Sequence, residues 1–151
     1  MTVPMTVPTA DTQVELLRQQ AARLGEKLAF SFSHYGDGRD GDQATYRELD
    51  LRARAIGAAL QERDAAGARV LVICGPGLDD MASIFGCCYA GAVAVPVSEQ
   101  VGPRLASVIA DVSPGFALAS PQLPQNIRSG CTPSRDRFAG VAPMKATPRI
   151  G

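Results

Sequence analysis

The chain has 151 residues, a length that suits one small domain or part of a larger one. Its 15 Lys/Arg balance 15 Asp/Glu, so no overall basic field directs it to nucleic acid. The balance hides a sign change: residues 1–120 hold 10 basic and 14 acidic side chains, whereas residues 121–151 hold 5 and 1, as two segments of different character would.

In chain order, MTVPMTVPTA (1–10) lacks the positive n-region and the apolar h-region of a secretory signal. It reads as a disordered end, with Met5 as an alternative start. Thr12-Gln13-Val14-Glu15 then has capping-box spacing, in which a hydroxyl and a carboxylate satisfy the orphan amide donors of a helix start. Val14, Leu17, Ala21 and Leu24 recur at helical spacing, and Gly25 is a natural stop. LAFSF (28–32) reads as a short strand and HYGDGRDGDQ (34–43) as a polar loop.

A second capping box stands at Thr45-Tyr46-Arg47-Glu48. Behind it Tyr46, Leu49, Ala53, Ile56 and Leu60 form one apolar face, and Arg47, Asp50, Arg54 and Gln61 form the opposite one. This predicts a long amphipathic helix ending near Gly67.

The pattern then changes. RVLVIC (69–74) is the continuous apolar, β-branched run of a buried parallel strand. GPG makes a turn, and Asp79 or Asp80 is placed to cap a helix running to about Tyr89. AVAVPV (92–97) is a second strand that ends near Pro96, which has no N–H to donate. RLASVIADV (104–112) predicts a helix and FALAS (116–120) a third strand. Strand–helix–strand–helix–strand predicts right-handed crossovers and a parallel sheet, so the fold class is α/β, preceded by two amphipathic helices.

After Ser120 the periodicity stops. Residues 121–151 carry five prolines and no sustained apolar period, and read as an irregular Pro/Arg-rich tail. The predicted division is therefore a disordered N-terminus (1–10), a partial domain (11–120) and the tail (121–151).

The stretch GPGLDDMASIFGCCYAGAVAVPV (75–97) admits three functional readings: membrane span, phosphate loop or thiol site. A span needs about 20 predominantly apolar residues, and this one breaks at Gly86 and Gly91 into a helix, a turn and a strand. A phosphate loop needs converging amides, yet Pro76 offers none and Asp79 and Asp80 repel phosphate. The chain's lysines, Lys27 and Lys145, lie far from it in sequence. Cys87 and Cys88 are helix neighbours whose side chains diverge by about 100°, so both read as small hydrophobes rather than a reactive pair.

Cys74, Cys87, Cys88 and Cys131 show no CxxC spacing, and His34 is the single histidine, so no metal set is predicted. With no signal sequence these thiols are expected to stay reduced in the cytoplasm. His34 reads as a solvated loop residue, and Arg128, Arg135, Arg137 and Arg149 are too scattered for a nucleic-acid stripe. No catalytic, cofactor-binding or metal-ligating residue is assigned.

Taken together, three segments resemble the adenylate-forming acyl ligases, and within them the fatty-acyl-AMP ligases. ATYRELDLRARAIGAAL (44–60) is similar to the family's early T-Y-x-E-L helix. GARVLVICGPGLDDMASIFGCCYAGAVAVPV (67–97) resembles its strand, P-G-L turn, F-x-G-C-x-Y-A-G helix and A-V-P strand. VGPRLASVIADVSPGFALAS (101–120) resembles the helix and strand that follow.

The resemblance implies an enzyme that joins a fatty acid to ATP as an acyl-adenylate and passes the acyl group to a carrier-protein or polyketide-synthase thiol in lipid biosynthesis. It also implies a Ser/Thr/Gly-rich phosphate loop, acids for magnesium and ribose, and a C-terminal lysine, none of which this sequence matches. The expectation is thus a partial N-terminal region, inactive alone and without cofactors of its own, whose tail a shifted reading frame would explain. Its exposed apolar faces would favour self-association. The alternative is a non-catalytic binding or regulatory module derived from the same family.

Overall fold

The computed structural model describes residues 9–32, 41, 43–75, 77–119 and 141–143. Helix α1 spans Gln13–Leu24, and the Thr12 hydroxyl accepts from the Glu15 amide at 3.1 Å. The reciprocal arm of this capping box goes elsewhere: the Glu15 carboxylate accepts from the Asp11 amide, also at 3.1 Å. Within the expected disordered end, Thr9 is described, and its carbonyl accepts from Gln19 Nε2 at 3.1 Å.

Strands β1 (Leu28–Ser31) and β2 (Gln43–Thr45) pair antiparallel with a bulge between Leu28 and Phe30. The sequence reading has no β2. It is three residues long and runs straight into a helix cap, too short to show an alternation. Most of the loop 34–43, including His34, lies outside the described residues.

Helix α2 spans Tyr46–Gln61 and has a complete capping box. The Glu48 amide donates to Thr45 Oγ at 3.2 Å, and the Thr45 amide donates to a Glu48 carboxylate oxygen at 2.8 Å. The helix stops at Gln61, short of the expected end near Gly67. There the chain turns back: Asp64 adopts a positive φ of 54°, and the amide of buried Ala65 closes on the Leu60 carbonyl at 3.1 Å.

Strand β3 (Arg69–Ile73) leads to α3 (Leu78–Ala90) and then to β4 (Val93–Pro96). Gly91, at φ 68°, ends α3, with the Ala92 amide on the Cys87 carbonyl and the Gly91 amide on the Cys88 carbonyl. Those bonds form a Schellman motif, which needs a left-handed residue at that place. A 3-10 turn over Glu99–Arg104 precedes α4 (Leu105–Val112), which delivers the chain to β5 (Phe116–Ala119).

The main sheet has the order β4-β3-β5-β6, every pair parallel. Strand β6 is Val141–Pro143, in register with Ala117–Ala119. These three residues fall within 121–151, the segment expected to be irregular. Three residues cannot display a period, so a strand of that length leaves no sequence signal; the rest of that segment lies outside the described residues.

The period-two geometry of strands sorts the core onto two faces. Val70, Val72, Phe116 and Leu118 pack with Leu17, Leu49, Ile56, Leu60 and Cys87 from α1, α2 and α3. Leu71, Ile73, Ala117 and Ala119 pack against Val101 and Leu105 on the other side. From β3 the chain moves outward to β4 through α3 on one face. It then returns past β3 to β5 through α4 on the opposite face. Reversing both direction and face keeps the two crossovers of one hand, the doubly wound rule for parallel strands.

Candidate functional site

The turn between β3 and α3 sits at the carboxyl end of the central strand, where open α/β sheets hold their ligands. Its helix starts directly at Leu78, with Gly77 as the N-cap and no side-chain cap. Asp79 and Asp80 therefore lie inside the first turn rather than at the cap position expected from sequence. There they complement the positive end of the helix dipole. Asp79 is engaged across the helix pair, with a carboxylate oxygen 2.7 Å from an Arg52 guanidinium nitrogen, both side chains about three-quarters buried. Burial raises the Asp80 carboxyl above its usual range. Both acidic groups stand on the helix side of the turn, where their negative charge would oppose that of a phosphate.

A second polar group joins α2 to α3. The Tyr89 hydroxyl donates to Asp50 Oδ1, and Arg54 Nε lies 3.0 Å from Asp50 Oδ2. The guanidinium carbon of Arg54 is 5.9 Å from the Tyr89 ring centroid, in cation–π range. Asp50 is only 5% exposed. The helical periodicity had placed Asp50 and Arg54 together on the polar, outward face; the structure keeps Arg54 largely exposed and buries Asp50. The cause is α3, which packs across that flank and brings Tyr89 over it. Two carboxylate oxygens, each with a donor, make this a satisfied clasp rather than a reactive centre.

The helices come close enough for this because glycines face each other. A Cβ on Gly57 would stand 2.7 Å from Tyr89 Cβ and 3.2 Å from the Gly86 carbonyl oxygen. A Cβ on Gly86 would stand 2.6 Å from Ile56 Cγ2. Within the 75–97 stretch, Gly86 thus serves close packing and Gly91 a helix stop.

The thiols divide by position. Cys87 is fully buried between the helices and the sheet, and burial pushes its thiol up to about 12. Cys88, its neighbour, points to solvent. Cys74 follows the last residue of β3 and is buried, with its sulfur 3.8 Å from Ser83 Oγ, and the Ser83 hydroxyl donates to the Asp79 carbonyl at 2.6 Å. Among the described residues no three His, Cys, Asp or Glu side chains gather to hold a metal, and no helix is long and apolar enough to cross a membrane. His34, Cys131 and the four tail arginines lie outside the described residues.

Sequence reasoning missed the clasp. Its available signal was the Asp50–Arg54 spacing of four, the usual mark of a helix-surface ion pair, with nothing to show that Tyr89 would cover it.

A doubly wound α/β unit, with α1, α2 and α3 on one face of its sheet and α4 on the other, is therefore the class that the fold defines. A family profile for "AMP-binding enzyme" matches residues 17–144. The chain is 34% identical over 149 residues to the long-chain-fatty-acid–AMP ligase FadD32 of Mycobacterium marinum, covering 95% of this chain and 22% of that protein. It is 31% identical over 121 residues to the medium-chain-fatty-acid–[acyl-carrier-protein] ligase JamA of Moorena producens, covering 76% and 20%. Its fold superposes on the fatty acid AMP ligase from Legionella pneumophila with a TM-score of 0.67 at 27% identity, over 80% of this chain and 21% of that one.

The chain belongs to the AMP-binding enzyme family, and its relatives include fatty-acid–AMP ligases. It spans about a fifth of the length of the relatives it matches.

Proposed function

We propose that residues 11–120, with β6 added at the sheet edge, are scaffold of a fatty-acyl-AMP ligase and that residues 1–151 alone do not catalyse the reaction. In the whole enzyme a fatty-acid carboxylate oxygen attacks the α-phosphorus of ATP. The α–β phosphoanhydride bond breaks, leaving acyl-adenylate and pyrophosphate. A carrier-protein or polyketide-synthase thiol then takes the acyl group and releases AMP. ATP and magnesium belong to that whole enzyme.

The observation that carries the reading is the agreement of sequence and fold with fatty-acid–AMP ligases over most of this chain. Support for inactivity alone comes from the lack of a match to the family's phosphate loop and C-terminal lysine in residues 1–151, and from their span of about a fifth of the relatives' length. The fatty-acid ligase names of the relatives support a role in lipid biosynthesis, and JamA's name supports a carrier-protein acceptor. A cytoplasmic setting suits the free thiols of Cys87 and Cys88.

Two experiments test this. Purified chain assayed for ATP–pyrophosphate exchange with medium- and long-chain fatty acids is expected to match the protein-free blank; robust exchange would overturn the inactivity. A chimera carrying residues 12–119 in place of the matching segment of the Legionella ligase is expected to fold and to adenylate fatty acids within about tenfold of the parent, a loss of under ~1.4 kcal/mol in transition-state stabilisation. A folded but inactive chimera would sink the scaffold reading.

A further inference from the structure

We draw no further inference here: the strongest candidate, the outer edge of strand β4 with its half-exposed Val93 and no charged side chain along Val93–Pro96, is an apolar strand edge without a neighbour among the described residues, and nothing in the structure shows what covers it.

Discussion

The ring of Tyr89 lies along α2, with Arg54 over its face and its hydroxyl on Asp50, in a channel that Gly57 leaves open. Side chains on a helix lean toward its N-terminus, so a tyrosine rooted beside residue 57 reaches back to residue 50 on a parallel neighbour. The backbone approach and the polar clasp are one arrangement. Filling the channel disturbs both.

Gly57→Ala sets two effects of opposite sign against each other. In an open helix alanine would stabilise by about 1 kcal/mol over glycine. Here the new methyl would lie 2.7 Å from Tyr89 Cβ, an atom fixed to the backbone that cannot swing aside. Overpacking of that kind costs about 1–3 kcal/mol and wins. Urea unfolding followed by far-UV circular dichroism is expected to show a lower midpoint for Gly57→Ala. Gly102→Ala, where a Cβ meets nothing within 4 Å, is the control and should stay within about 0.5 kcal/mol of the parent. A Gly57→Ala midpoint at or above the parent's would defeat this account.

Tyr89→Phe tests the clasp itself. At neutral pH it removes one hydrogen bond to a buried carboxylate and should cost about 1–2 kcal/mol, with Arg54 still on Asp50. The pH dependence is more telling. Burial first, and then the bond to Asp50, raise the Tyr89 hydroxyl above its ordinary range, against a lowering by Arg54. The folded chain holds this proton more tightly than the unfolded chain does. Its contribution is therefore complete below the unfolded value of about 10 and is lost as pH rises through the folded value. Unfolding free energies measured from pH 8 upward should fall less steeply for Tyr89→Phe than for the parent. Cys87, pushed up to about 12, bends both curves the same way and leaves the difference to Tyr89. Identical slopes would remove the clasp from the alkaline response.

The features legible in the sequence were those carried by local chemistry. Thr45 and Glu48 announced a helix start that formed with both hydrogen bonds, because every group in a capping box lies within one turn. RVLVIC announced a buried parallel strand because both of its faces are covered, leaving no polar alternation. What failed depended on a distant neighbour. Asp50 sat on the polar face by period, and only the crossing of α3 buries it. Asp79 had the right chemistry for a cap, yet Arg52 claims its carboxylate and the helix begins at Leu78. The three-residue strands β2 and β6 exist through their partners β1 and β5, and carry too few residues for a pattern.

Leu71 and Leu51 separate core from surface within one residue type. Leu71 is fully buried at the middle of β3, paired on both sides. Leu51 is 60% exposed on α2. Leu71→Ala should cost about 2–5 kcal/mol, a large part of the roughly 5–15 kcal/mol available to a small domain. Leu51→Ala should change stability by no more than about 0.5 kcal/mol. Equal losses at the two positions, read from the same unfolding midpoints, would mean that β3 does not anchor the core.

Cys87 and Cys88 make the closing test of the 75–97 stretch, since two adjacent thiols should behave in opposite ways. Only a thiolate attacks an alkylating reagent, so both exposure and thiol acidity set the rate. Cys88 is exposed. Cys87 has no accessible surface and a thiol pushed up to about 12, which leaves almost no thiolate at neutral pH. Iodoacetamide at pH 7.5 followed by peptide mapping is expected to label Cys88 in the folded chain and to leave Cys87 unmodified until denaturant is added. Gly57→Ala, by loosening α3 on α2, should raise the slow labelling of Cys87 through more frequent opening, while leaving the Cys88 rate unchanged. Labelling of Cys87 as fast as Cys88 in the parent would show that α3 is not seated against the sheet. The adjacent cysteines would then have to be reconsidered as an accessible thiol pair.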